Sequence, residues 1–521
     1  MKIDGVDFTP EELVAMVLTH AVDISVAHAA AQGSTMSAPP KDVVLTVPCF
    51  ATQRERQALL DAAALADLNV LTLIDENTAA ALQYAMDKTF ADAENKESKD
   101  ELFLFYNMGA SALQVSVVHF FSYEQPQKYG KAKRVPAVQV LGKAWDETLG
   151  GLAFDHLLVE YLADTFNAEW RKAKNDESLD IRTKPRAMMK LRLQANKVKH
   201  VLSANTDIPV YMDALQDDLP LSTHLSREKL EELAAPLLER ATQPVHKALQ
   251  AANKTLADVT GVELIGGGMR IPRIQAELTK LLQDSSELEL GLHMNADESM
   301  ALGAAFGGAN ISTAFRVRHV GLTDINPFAM KVTLTDMEEQ EEPWNKETTV
   351  FKAFGKMNIK KTIAFSHDRD VACSLDYVDD ESDLLPAGSE HGLARYRISG
   401  VDDFAKEMEE KGLGKPKVSL QFELSSSGIA ALVKAEAAVE ETYTVEEEVE
   451  VDDDDAEGED KAGGEEKAPE EEEKENGDGD VVDEKKEDKK EEGKPKKKKI
   501  TVEKVRRFPY LAVNQCVCGR R

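Results

Sequence analysis

The sequence is short of cysteine, of positive charge and of long apolar runs. Its four cysteines, Cys49, Cys373, Cys516 and Cys518, make no disulfide framework in 521 residues. The Cys-x-Cys pair is read as incidental to the tail. No His, Cys and carboxylate set has the spacing of a metal site, and no nucleophile elbow or triad signature occurs. The lone histidines His156 and His293 are read as structural. Lys and Arg number 63 against 94 Asp and Glu, a net charge of −31. That excess repels phosphate backbones and excludes a general nucleic-acid binder. The first residues lack the basic start and apolar core of a signal peptide. No continuous apolar run reaches the roughly 18 to 20 residues that span a bilayer. A soluble chain with no membrane insertion is expected.

What the chain does have is length for two or three domains, each with its own core. Its acidity is uneven: residues 446–492 carry −19 of the net charge and almost no large apolar side chains. Such a segment cannot offset its ordering entropy, so disorder is expected from Glu446 through Lys499.

Near the start, "TPEE" supplies an N-cap, a proline in the first turn and early acids for a helix over Phe8–Ala30. Residues 41–84 read as strand, helix, strand, helix. A hairpin follows at 102–118, then a long helical stretch from Phe154 to about His200. A strand, turn and helix come at 262–282. Alternating strands and helices predict an α/β sheet domain. From about Val317 to Glu440 short alternating strands separated by turn residues predict a small antiparallel β domain.

Three glycine-marked turns stand out. In "LIGGGMRIPRI" an apolar strand runs into Gly266, Gly267 and Gly268 before a helix. Residues without Cβ let backbone amides approach a ligand, a helix start favours an anion, and Arg270 could stack on a planar base. A tight strand-to-helix turn explains the same glycines. Gly150 and Gly151 also open a helix and carry the same two readings. "NKVKHVLSAN" ends a helix with Lys197, Lys199, His200 and Ser203, either a site or a solvated basic face. "NADESMALGAAFGGA" supplies Asp297, either a site residue or a helix cap.

These motifs occur in a fixed order, and with "VLTVPCFATQRERQALLDAAALADLNVLTLIDENTAAALQYAM" they resemble the seventy-kilodalton heat-shock chaperone family. The long acidic insertion, "WDETLGGL" and "LQFELSSSGIAALVKAEAAVE" are most similar to its divergent, large endoplasmic-reticulum branch. The resemblance covers about residues 8–510. It implies an incomplete actin-like α/β nucleotide-binding domain over 1–314 and a β-sandwich peptide-binding domain over 315–442. A disordered acidic loop over 443–499 and a last strand with an unassigned tail over 500–521 would follow. It further implies that Gly109, Gly150, Gly151, Lys199, Ser203, Gly266, Gly267, Gly268, Arg270 and Asp297 bind ATP or ADP.

The departures from the family pattern matter as much. The family's first phosphate loop and catalytic lysine, which precede the helix at Phe8–Ala30, are not in this sequence. Nor are a helical lid and a retention tetrapeptide, so a chain shortened at both ends is expected. The second phosphate loop reads DLGGGTFDVS in the family and "NMGASALQVS" here. Asn107 and Gln114 replace its two aspartates, Ala110 and Ser111 two glycines, and Ala112 the threonine. Asn77 replaces the proline of NEPTAAA. Efficient ATP hydrolysis is therefore not expected, no catalytic or metal-ligating residue is assigned, and Mg²⁺-dependent binding is in doubt.

The resemblance implies unfolded polypeptides and the lumenal seventy-kilodalton chaperone as partners, and an endoplasmic-reticulum lumenal location with the cytoplasm as alternative. Sequons at Asn253 and Asn310 are compatible with the lumen. Two other readings stay open: an active ATP-hydrolysing chaperone, and an interaction scaffold whose nucleotide domain is a fossil.

Overall fold

The computed structural model describes residues 2–3, 5–33, 38–87, 100–126, 132–283, 288–313, 317–337, 344–378, 384–451 and 496–510. A six-stranded mixed sheet organises the first 320 residues or so. Its order is Leu290–Gly291, Gly261–Ile265, Glu101–Met108, Leu113–Gln125, Lys133–Asp146 and Gly321–Thr323. The middle three strands form an antiparallel meander, and strand Gly261–Ile265 joins it in parallel, Ile265 opposite Asn107. Strand alternation sends Leu102, Leu104, Tyr106 and Met108 into one core, with helices Gly151–Lys174 and Pro185–Ala204. Phe103 and Phe105 point the other way, toward helices Glu76–Asp87 and Ser299–Ile311.

The predicted N-cap at Thr9 forms as expected. Thr9 and Glu12 make a reciprocal capping box ahead of helix Pro10–Ala31, and Thr52 and Glu55 make another ahead of Gln53–Leu65. Three sequence expectations need correction. The stretch from Phe154 to His200 is two helices, because Asn175 takes a left-handed C-cap with φ 51° and Pro185 opens the second. Helix Pro10–Ala31 is long and apolar enough to cross a membrane by length and composition. Asp23 and two histidines interrupt its apolar run without making it polar, and Ala15 is its single buried residue.

The third correction concerns the acidic segment. Strand Ala430–Val451 continues well into it and pairs antiparallel with Lys496–Tyr510. Glu448 faces Lys499, Glu450 faces Lys497, and Glu440 and Glu441 face Arg507 and Arg506 in this register. Residues 452–495 of the predicted disordered loop, and Cys516 and Cys518, lie outside the described residues.

Beyond the mixed sheet, two four-stranded antiparallel sheets share one core. One runs Asn345–Phe351, Met330–Asp336, Val371–Tyr377 and Gly392–Ile398; the other runs Ile359–Ser366, Lys417–Leu424, Ala430–Val451 and Lys496–Tyr510. Val332, Leu334 and Leu375 of the first meet Val418, Leu420 and Phe422 of the second.

Candidate functional site

The site begins at the hairpin turn. Asn107 and Gln114 are directly opposed in the register of the hairpin, so both side chains leave the same face of the sheet. On that face lies Glu76, the first residue of helix Glu76–Asp87. Gln114 Nε2 donates to Glu76 Oε2 at 2.6 Å, and Asn107 Nδ2 donates to the same oxygen at 3.3 Å. Gln114 Oε1 accepts the backbone N–H of Cys49 at 2.7 Å. Asn107 Oδ1 is buried without a partner and faces Gly266. Burial pushes the Glu76 carboxyl above its ordinary range, opposed by the two amide donors.

Asn77 beside it is fully buried, and its Nδ2 reaches Phe105 O and Gln114 O, both at 3.3 Å, and Ser116 Oγ at 3.2 Å. A proline there could not make these bonds, which tie the helix start to both hairpin strands.

Hexahydrated or partly hydrated Mg²⁺ needs hard oxygen ligands or acceptors for its water protons. Here the hairpin presents two N–H₂ groups to one carboxylate. Of the two amide oxygens, one is taken by Cys49 and one is turned to Gly266. The residues present do not fit a divalent cation.

The glycines serve a purpose the sequence leaves open. A Cβ on Gly150 would lie 2.4 Å from Ala110 O, and Gly151 N and Leu152 N donate to Gly109 O and Ala110 O at 3.0 and 2.8 Å. The helix start at Gly151 thus packs on the hairpin turn, and its amides are capped by that turn's carbonyls. Lys199 Nζ donates to Gly151 O at 2.9 Å and to Asp155 Oδ2 at 2.8 Å, and Ser203 Oγ bonds back to Lys199 O. Gly266, with φ +85°, and Gly268 are held close by Met108: a Cβ on either would come within 2.8 Å or less of Met108 O. Gly267 has nothing within 4 Å of where its Cβ would stand. Arg270 pairs with Asp297 at 2.9 Å on the exposed side of the same turn. Gly109, Gly150, Gly151, Lys199, Gly266 and Gly268 therefore converge on one turn. Gly267, Arg270 and Asp297 form its open rim.

Sequence reasoning missed a buried ionic network next to this site. Asp75, adjacent to Glu76, accepts from Arg56 Nη2 at 2.7 Å and Lys143 Nζ at 2.6 Å, with all three side chains no more than 3% exposed. Lys143 also pairs with Asp324 and donates to Ile325 O at 2.8 Å. Thr78 Oγ1 donates to Asp324 at 2.8 Å. A lysine inside the apolar strand "VQVLGKAW" was the available signal. Arg56 Nη1 further reaches Ser427 O of the second antiparallel sheet's hairpin, Leu73 N donates to Ser427 Oγ at 3.0 Å, and Gln53 exchanges two hydrogen bonds with the Ala430 backbone. Gln53 N also donates to Tyr377 Oη of the other sheet. Both β sheets thus contact helix Gln53–Leu65, which carries Arg56, and the second sheet's hairpin also contacts the strand that ends at Asp75.

An α/β unit whose glycine turns gather around a hairpin, joined to paired antiparallel sheets, is the arrangement of a heat-shock chaperone, and the chain belongs to the Hsp70 family: it matches the Hsp70 protein family over residues 1–508. Membership carries with it an actin-like nucleotide-binding domain and, for the family in general, ATP or ADP as ligand. The chain is 34% identical over 450 residues to Heat shock 70 kDa protein 17 of Arabidopsis thaliana, covering 86% of this chain and 49% of that protein. It is also 34% identical over 446 residues to Hypoxia up-regulated protein 1 of Homo sapiens, covering 83% and 42%. Against the protein of the same name from Xenopus tropicalis it is 34% identical over 444 residues, covering 83% and 65%. The chain thus spans about half or less of the first two relatives.

Proposed function

We propose that this chain is a nucleotide-responsive chaperone of the large heat-shock type that binds adenine nucleotide without turning it over. It would hold unfolded polypeptides on its paired β sheets, a β-sandwich substrate domain, in the endoplasmic-reticulum lumen. There it would promote nucleotide exchange on the seventy-kilodalton partner chaperone. The observation that carries the reading is the convergence of Asn107 and Gln114 amides on Glu76. Amide donors stand where hydrolysis needs acceptors to position water and metal, and positioning accounts for most of catalysis in phosphoryl transfer. The contacts of Gln53, Arg56 and Leu73 with the β sheets, with Arg56 bonded directly to Asp75, support a response of the substrate domain to ligand.

The test pairs single-turnover hydrolysis of labelled ATP with suppression of aggregation of a denatured client. The expected result is a hydrolysis rate no greater than that of a heat-inactivated control, together with delayed aggregation. Measurable turnover that Asn107→Ala abolishes would overturn the non-hydrolysing reading. A chain that leaves aggregation unchanged would overturn the chaperone one.

A further inference from the structure

Several of the groups that would receive a polyphosphate are already used within the protein. Gly151 N and Leu152 N are bound by Gly109 O and Ala110 O, and Gly109 N is bound by Ala112 O at 3.0 Å. Lys199, whose Nζ would stand 3.2 Å from a Cβ on Gly151, is held by Asp155 and Gly151 O, with its side chain 12% exposed. The backbone of Ala110 and Ser111 packs directly on Gly150. Glu76 adds a carboxylate that no described cation pairs with, and its amide neighbours leave no room in the donor set for a divalent ion to screen it. A polyphosphate brought here would find these donors engaged and would face a like charge.

The rim is different in kind. Gly267 is open, and Arg270 presents an exposed guanidinium whose ion pair with Asp297 is exposed too, 62% and 64% by side chain. An exposed pair of this sort is weakly held, so Arg270 can turn to stack on a planar purine.

From this contrast we infer that the site selects the nucleoside end of its ligand and takes it without a divalent cation, so that adenosine, AMP, ADP and ATP bind alike. This rests on the nucleotide-binding reading above and specifies which part of the ligand carries it. A phosphate chain then projects from the rim into solvent, where each added phosphate gains little and Mg²⁺ bound to it touches no protein carboxylate.

Calorimetric titration of the whole chain with adenosine, AMP, ADP and ATP, each in millimolar MgCl₂ and in EDTA at matched ionic strength, tests it. The four Kd values should fall within about tenfold of one another, and Mg²⁺ should change the ADP value by less than about twofold. An ADP affinity more than about tenfold above that of adenosine, or strengthened more than about tenfold by Mg²⁺, overturns the inference while leaving nucleotide binding intact. No heat with any of the four overturns nucleotide binding itself, and the inference with it.

A second measurement needs no nucleotide. Asn107→Asp combined with Gln114→Asp would set three carboxylates together with Glu76, so Mg²⁺ alone should raise the melting temperature of that variant. The unsubstituted chain should melt at the same temperature with MgCl₂ as with EDTA; a Mg²⁺-dependent rise there would contradict the metal-free site.

Discussion

Asp75→Ala should cost about 3–5 kcal/mol of stability, the range for removing one partner from a buried ion pair. The loss leaves Arg56 without its acceptor for Nη2 and Lys143 with Asp324 and Ile325 O alone, both cations inside the protein. Asp75→Asn, which keeps the shape and loses the charge, should fall between the variant and the parent chain. As a comparison, Glu160→Ala breaks one arm of an exposed cluster around Arg182 and should cost about 1 kcal/mol or less. Denaturant midpoints at fixed m-value measure all three. An Asp75→Ala midpoint matching that of Glu160→Ala would mean the network is solvated rather than buried.

The pH dependence follows from the same network. Full burial pushes the Asp75 carboxyl upward, but Arg56 and Lys143 outweigh it and hold the group below its ordinary range. A depressed carboxylate contributes its stability above the unfolded-state value of about 3.9 and loses it as pH falls through the lower, folded-state value. The gap between Asp75→Ala and the parent should therefore stay constant from pH 8 down to about 5 and narrow only in stronger acid.

Gly303→Val should be the most damaging change at a helix contact. A Cβ on Gly303 would stand 1.7 Å from Ala79 O and 2.5 Å from Ala79 C, backbone atoms of helix Glu76–Asp87. Neither atom can swing aside as a side chain could, so helix Ser299–Ile311 must move as a body. Overpacking of this kind costs about 1–3 kcal/mol for an added methyl group and more for a branched side chain. Gly307→Ala, on the same helix, would meet only Leu82 Cδ1 at 3.5 Å and Ile74 Cδ1 at 3.9 Å. It should be neutral or stabilise by about 0.5–1 kcal/mol through helix propensity. Because helix Ser299–Ile311 packs on the helix that begins at Glu76, Gly303→Val should also weaken the Gln114–Glu76 contact and lower ligand affinity, whereas Gly307→Ala should not. Melting temperature and ADP titration on both variants check the pair; equal melting temperatures would mean the two helices are not in backbone contact.

The sequence by itself determined the local pieces. Thr9 with Glu12 and Thr52 with Glu55 start their helices because a side-chain oxygen three residues from a glutamate satisfies orphan amides wherever the helix sits. The alternation of residues 102–108 set which side chains go to which face, and the hairpin followed from it. The order of glycine motifs, set against a known family, located the candidate site. Tertiary structure decided what each of those pieces meets. Gly150, Gly266 and Gly268 could have opened space for a ligand, yet they admit the hairpin backbone at Ala110 and Met108. Lys143 and Asp75 lie 68 residues apart, and only the crossing of a meander strand with the end of strand Asn69–Asp75 makes them a buried pair. The partner of strand Ala430–Val451 from Ala437 onward is likewise a distant segment, Lys496–Tyr510. In each case the deciding energy is a contact between segments distant in sequence. Local propensity cannot carry that information, because the partner's position depends on how the whole chain folds.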